Sequence, residues 1–251
     1  MDIRTKILIS FIILKCGANT VFAVNDITLN ITADYATKYI WRGQNVSNRS
    51  VFQPTVSLNK YGFTGSFWGN MDLTGQNEHR FEFIELNYIL DYSATVPGIE
   101  GLDFSIGTIH YQFPNTSFKP TTELYGGISL DAPLTPSITV FSDVDETDGT
   151  YIQAAIGHTI EKIATFSNDC YCGLRLGCGI GWSNSAYNTY FFGINDGKSN
   201  DLVFSAGFPI CMGKWTIKPG IYYSMMLSDA VRSATDKSDN LWMVLSVSGE
   251  L

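Results

Sequence analysis

Residues 27–42 read Ile27-Thr28-Leu29-Asn30-Ile31-Thr32-Ala33-Asp34-Tyr35-Ala36-Thr37-Lys38-Tyr39-Ile40-Trp41-Arg42, and their parity decides the fold. Ile27, Leu29, Ile31, Ala33, Tyr35, Tyr39 and Trp41 take the odd positions, while Thr28, Asn30, Thr32, Asp34, Lys38 and Arg42 take the even ones. Successive strand residues point to opposite faces, so the segment predicts one strand with an apolar and a polar, charged face. A helix would scatter the same residues around its surface. A strand from 27 to 41 is much longer than the roughly five or six residues usual in soluble domains. It suits a tilted strand that crosses a bilayer and projects beyond it.

The same alternation recurs downstream. Phe52, Val56 and Leu58 alternate with Gln53, Thr55, Ser57 and Asn59. Asn59-Lys60-Tyr61-Gly62 reads as a tight turn. Phe63, Gly65, Phe67, Gly69, Met71 and Leu73 form the next apolar face. Ile84, Leu86, Tyr88, Leu90 and Tyr92 then alternate with Glu85, Asn87 and Asp91. Further strands are predicted at 102–113, 121–131, 137–144, 150–160, 171–182, 201–210, 214–226 and 240–251, separated by Gly, Pro, Asn, Asp and Ser clusters. In 102–113 the parity switches from even (Leu102, Phe104, Ile106) to odd (Ile109, Tyr111, Phe113), and Gly107 is the expected bulge. The expectation is about twelve strands in an all-β, closed, antiparallel up-and-down transmembrane barrel. An even strand number puts both termini at one end, the periplasmic one. The external loops would then be 43–50, 74–80, 114–120, 145–149, 183–200 and 227–239, and the turns 59–62, 93–101, 132–136, 161–169 and 211–213.

Composition agrees. Aromatic residues make up 14% and charged residues only 16%, against roughly 25% charged in ordinary globular proteins. Arg4 and Lys6, the apolar run 7–14 and Val21-Phe22-Ala23 have the form of a secretory leader cleaved after Ala23, leaving 24–251 as the barrel. Removing Asp2 against Arg4, Lys6 and Lys15 makes the mature chain still more acidic than the full chain's net −8. An exported acidic chain is a poor nucleic-acid binder, which needs a basic patch. No run of 18 apolar residues exists after the leader, so no transmembrane helix is expected.

Every in-strand charge can be placed on one face: Asp34, Lys38, Arg42, Asp72, Glu85, Asp91, Asp103, Glu123, Asp143, Arg175 and Lys218. An Arg or Lys facing lipid at mid-depth costs about 2–4 kcal/mol, so these side chains are expected to line the lumen. The basic members would face Asp34, Glu85, Glu123 and Asp143 across a narrow bore. Two readings stay open: a pore with a transverse field that orients polar solutes, or a salt-bridge network that plugs the barrel. Tyr39, Trp41, Tyr88, Tyr92, Trp215 and Tyr223 read as interfacial girdle aromatics, with a sugar-binding platform as the alternative.

At the end of the chain Leu241, Met243, Leu245, Val247 and Leu251 share a face opposite Trp242, Ser246, Ser248 and Glu250. A last alternating strand with an apolar terminus resembles the signal read by the barrel-insertion machinery, although Leu251 stands where an aromatic is usual. The chain also resembles a known family. Tyr39-Ile40-Trp41-Arg42-Gly43, Gln53-Pro54, Trp68-Gly69-Asn70, Tyr111-Gln112-Phe113-Pro114 and Thr122-Glu123-Leu124-Tyr125-Gly126 resemble, in order and spacing, motifs of the TorF family of porin-type outer-membrane proteins. The likeness is best in 31–130. It implies an outer-membrane location and a barrel, with no defined solute. The 183–200 loop and the cysteines depart from the pattern.

Conventional enzyme chemistry is weakly represented. His79, His110 and His158 are not followed two residues later by serine, the spacing sought for a membrane-embedded acyl hydrolase. The sequence leaves open a triad assembled from distant segments. Cys170-x-Cys172 is not the usual zinc spacing and has no nearby histidine. The topology instead brings Cys211 to the same end as Cys170 and Cys172 on a neighbouring strand. A Cys172–Cys211 disulfide, favoured by an oxidising periplasm, and buried free thiols are the two readings. No catalytic residue, metal or cofactor is expected. The expected partners are outer-membrane lipid, small polar solutes and the insertion machinery. The expected role is passive diffusion of small polar solutes. A plugged structural or surface-interaction barrel is the rival, and a soluble exported β-protein with an apolar interior is a third reading.

Overall fold

The computed structural model describes residues 27–75 and 80–251; the expected leader and His79 lie outside the described residues. The wall is a closed barrel of 12 antiparallel strands. In chain order the strands are β1 (Thr28–Ala36), β2 (Tyr39–Trp41), β3 (Gln44–Ser47), β4 (Val51–Lys60), β5 (Phe63–Asp72), β6 (Phe83–Thr95), β7 (Leu102–Gln112), β8 (Thr121–Leu130), β9 (Ser137–Asp143), β10 (Thr150–Ser167), β11 (Cys170–Ser183), β12 (Lys198–Gly207), β13 (Ile210–Met212), β14 (Trp215–Met226) and β15 (Asp239–Glu250). Two helices, α1 (Ser185–Phe192) and α2 (Asp229–Ser233), interrupt the last two loops. β12 and β13 are two halves of one wall strand, both lying between β11 and β14. Closure is made by β1, which pairs with β4 on one side and β15 on the other. Closing the sheet leaves no edge of unpaired backbone groups, a requirement in lipid.

The parity seen in the sequence is the geometry of the wall. On β15, Leu241, Met243 and Leu245 are exposed while Asn240, Trp242 and Ser246 are buried. On β4, Val56 and Leu58 are exposed and Thr55, Ser57 and Asn59 are buried. The outside of the barrel is an apolar belt and the packed interior is the lumen. Tyr61 and Gly62 both have positive φ (51° and 86°), the twist of the two-residue turn that joins β4 to β5.

Four expectations are corrected. The first strand does not run to Trp41. The chain leaves the wall at Thr37–Lys38, and β2 and β3 form a separate two-stranded hairpin. β7 has no bulge at Gly107, because its pairing with β6 and β8 is continuous. Ile109 and Tyr111 point into the lumen, 8% and 5% exposed, so the parity switch records an apolar interior patch. The expected turn 161–169 is mostly strand, because β10 reaches Ser167 and β11 begins at Cys170 after register shifts. The expected Cys172–Cys211 disulfide is not made. Cys211 lies opposite Tyr171 and Cys172 opposite Ile210, so the two side chains leave opposite faces of the sheet. Cys211 accepts a hydrogen bond from the Thr216 hydroxyl at 3.8 Å, and Cys170, Cys172 and Cys178 are free thiols.

Candidate functional site: an arginine cage inside the lumen

The site begins with a turn. Trp41 pairs with Gln44, leaving Arg42-Gly43 as a two-residue connection with φ of 46° and 76°. Positive φ at both positions matches the twist of the hairpin. A non-glycine residue in this region is uncommon and is held only where surrounding contacts over-determine it. Here they do. The tip is wedged against the wall at Gly43, where a Cβ atom would sit 2.6 Å from Asp201 Cβ and 3.0 Å from Met226 Sδ. Further back, the Asn45 amide donates to Asn240 Oδ1 at 2.7 Å. The hairpin thus reaches from the rim into the lumen.

Arg42 is 5% exposed at the tip of this hairpin. Its Nη1 and Nη2 donate to Glu123 Oε1 and Oε2 at 2.7 and 2.8 Å. This is a bidentate, charge-assisted pair. Tyr111 donates its hydroxyl proton to Glu123 Oε2 at 2.8 Å from the neighbouring strand. Four rings surround the guanidinium carbon: Tyr151 at 4.4 Å, Trp41 at 4.5 Å, Phe141 at 4.8 Å and Tyr187 at 5.7 Å. Tyr151 in turn donates to Asp201 Oδ1 at 2.9 Å. Strands β7 to β10 and β12, the hairpin and α1 all contribute.

Helix α1 is seated by its own polar contacts. Asn184 caps it by accepting from Tyr187 N at 3.0 Å, and the same oxygen accepts from Thr150 N at 3.0 Å on β10. Asn188 is fully buried. It accepts from the Ser183 hydroxyl at 2.7 Å and the Asn200 amide at 3.0 Å, and it donates to the carbonyl of Asp196 at 2.8 Å. Tyr187 and Phe192 then join Tyr111, Tyr125, Phe141 and Tyr151 in one apolar cluster. Tyr39 and Ile40 of the hairpin pack into a second cluster with Trp68, Tyr222 and Trp242. Trp41 touches both.

The candidate lumen residues divide into three groups. Arg42, Glu123, Glu85 and Asp91 belong to the interior network. Glu85 accepts from Asn87 at 2.9 Å and bonds the Tyr39 hydroxyl, and Asp91 accepts from Tyr125 at 2.9 Å. Asp34, Arg175 and Lys218 stand on the inward face nearer the chain termini, where Asp34 and Lys218 both lie opposite Ser246. Two residues stand apart as the third group. Asp143 caps its own loop, its Oδ1 accepting from the N–H groups of Asp145, Glu146 and Thr147 at 2.9 to 3.2 Å. Lys38 sits at the bend where the chain leaves the wall and has Lys237 as a charged neighbour rather than a carboxylate.

Of the expected girdle aromatics, Tyr88 and Trp215 are exposed on the outer face, whereas Tyr39 and Trp41 are carried inside by the hairpin. His110 faces outward, its Nδ1 3.0 Å from the Thr122 hydroxyl, and His158 is exposed on the outer face of β10. Phe141, Tyr151, Tyr187 and Asp201 were not singled out in the sequence, and Tyr111 entered only through the parity switch of β7 and a family motif. Parity carries the signal for the wall members: Tyr125 shares the face of Glu123, and Phe141 that of Asp143. Tyr187 lies in a loop, where parity says nothing.

No family model and no curated protein matches the chain. Solved structures do. The NanC porin aligns with a TM-score of 0.51 at 11% identity, covering 89% of this chain and 100% of that one. LpxR from Salmonella typhimurium aligns with a TM-score of 0.52 at 8% identity, covering 88% of this chain and 99% of that one. Identities this low establish a shared barrel fold, and a fold alone does not select a function. Among the described residues no helix is long and apolar enough to cross a membrane.

Proposed function

We propose that this chain is an outer-membrane channel for small polar solutes, closed in the present arrangement by the β2–β3 hairpin and α1. The apolar belt would face lipid, the loop-rich end would face outward, and β15 would present the signal for barrel insertion. The motifs resembling the TorF family are in keeping with this reading. The observation that carries it is the construction of the obstruction. It is a hairpin hung from a bend at Thr37–Lys38 and seated by non-covalent contacts at its tip, inside a wall whose inward face stays polar toward the termini. A channel needs an obstruction that can leave; a permanently filled barrel needs none.

A second reading has its own support. The pair between Arg42 and Glu123 is so fully enclosed that the hairpin also works as a permanent core, which would make this a structural or surface-interaction barrel. Planar-bilayer recordings of the refolded mature protein separate the two. The channel reading expects rare, discrete, ohmic openings in the native protein and frequent ones in Arg42→Ala. Insertion of both proteins without conductance overturns it.

A further inference from the structure

The cage divides into two sets of contacts, and only one belongs to the hairpin. Trp41 travels with Arg42. Glu123, Tyr111, Phe141 and Tyr151 are fixed on β7 to β10, and Tyr187 is fixed on α1. A hairpin that swings out takes the cation and leaves behind a carboxylate with its oxygens aligned, flanked by ring faces. Such a combination is selective for flat organic cations, because rings attract the face of a guanidinium while the carboxylate reads its edge.

Three further details define the occupant. First, acids outnumber bases around this point: Glu123, Asp201 and Glu85 are all buried and all interact with Arg42 or its immediate partners. Second, the wall contacts the two terminal nitrogens of the guanidinium. Third, Arg42 Nε is buried without a hydrogen-bond partner. The wall therefore reads the terminal fork and makes no demand on the substituted nitrogen.

We infer that the lumen wall carries a binding site for monosubstituted guanidinium compounds, and that Arg42 is its tethered occupant. Free ligand and hairpin compete for the same cage, so a guanidinium-bearing solute would displace the obstruction from the channel it enters. The inference deepens the channel reading by naming a solute class and rests on the hairpin being removable. The binding itself does not require conduction.

The test is a titration of methylguanidinium chloride into refolded, detergent-solubilised protein, followed by tryptophan emission, with sodium chloride at matched ionic strength as control. Arg42→Ala should show a saturable response in the millimolar range. The native protein should need at least about twofold more ligand, because a tethered occupant at millimolar effective concentration competes with a ligand whose midpoint is also millimolar. Arg42→Ala combined with Glu123→Gln should lose the response. No saturation in Arg42→Ala, or equal midpoints in all three proteins, overturns the site. Should Arg42→Ala fail to refold, the native protein gives an independent reading. Agmatine should accelerate chymotrypsin cleavage after Trp41 several-fold over sodium chloride, since the displaced hairpin becomes accessible; an unchanged rate overturns the inference. Because neither readout uses conductance, binding without channel activity would sink the channel reading and keep the site.

Discussion

The two ends of this lumen use charge in opposite ways. Toward the loops, Arg42 and Glu123 are in bidentate contact, enclosed by rings and backed by Tyr111. Toward the termini, Asp34, Arg175 and Lys218 are spread over separate strands, and Asp34 Oδ1 and Arg175 Nε have no protein partner. The first arrangement is a lock, since each charge is neutralised by one specific neighbour. The second is a lining, in which Asp34 bonds Ser246 and faces Lys218 across strands of the wall itself. The same residue types at the same wall parity give either outcome. What decides is whether a loop folds in to supply the partner.

Removing the lock should give the largest effect. Arg42→Ala leaves Glu123 buried without its cation, and breaking a buried pair in this way costs about 3–5 kcal/mol. The closed arrangement should be lost while the 12-strand wall persists, because the wall's ladder does not depend on the hairpin. Bilayer recordings should show conductance rising several-fold. Lys218→Ala, at the other end, should leave open time unchanged and shift the ratio of cation to anion permeability. Equal behaviour of the two variants would erase the distinction between lock and lining.

The next effect concerns the turn that aims Arg42. Gly43→Val places a branched side chain at φ 76°, with its Cβ inside contact distance of Asp201 Cβ. Strained backbone of this kind costs about 1–3 kcal/mol, before the clash is counted. The hairpin should sit less well, read as faster chymotrypsin cutting after Trp41 in the folded, detergent-solubilised protein. Asn188→Ala tests α1, the other element folded into the lumen. It removes one side chain that serves Ser183, Asn200 and Asp196 together, and leaving buried groups unmatched costs about 1–3 kcal/mol. The expected readout is faster hydrogen exchange confined to 184–197, with the hairpin's rate little changed.

How much of this was legible in the sequence follows the same division. The wall was readable because alternation is a local property: Glu123 and Tyr125, or Leu241 and Trp242, declare their faces by spacing alone. Asp34 and Lys218 follow the same parity, both lying opposite the buried Ser246. One apolar and one polar face make a one-residue slip expensive, so parity is enforced along each strand. The lock was not readable, because its partners come from five wall strands, a hairpin and a loop helix. Parity carried the first strand through to Trp41, since Tyr39 and Trp41 kept the odd phase. Nothing local says that the chain turns inward at Thr37–Lys38. Arg42-Gly43 was the available hint, a pair suited to positive φ inside an otherwise strand-like run. The same blindness explains the Gly107 bulge. Inward Ile109 and Tyr111 break the polar rule because they pack against other rings, an effect of tertiary contact.

The smallest expected effect sits at the rim, outside both regions, and serves as the control for them. Arg232 of α2 bonds Asp239 Oδ2 at 2.8 Å, with both side chains more than a third exposed. Solvent and salt screen such a pair, which contributes about 0–1 kcal/mol. Arg232 also donates to the carbonyl of Met226 at 2.9 Å, so Arg232→Ala removes two contacts, whereas Asp239→Asn removes the charge and one of the two oxygens that accept from Arg232, Ser238 and Tyr223 at the solvated rim. Asp239→Asn should therefore leave denaturant stability and conductance unchanged at physiological salt, and Arg232→Ala should at most loosen α2. If Asp239→Asn instead raised conductance as expected of Arg42→Ala, then exposed rim charges would hold the hairpin in place. The distinction between an enclosed pair and a solvated one would then have no force in this lumen.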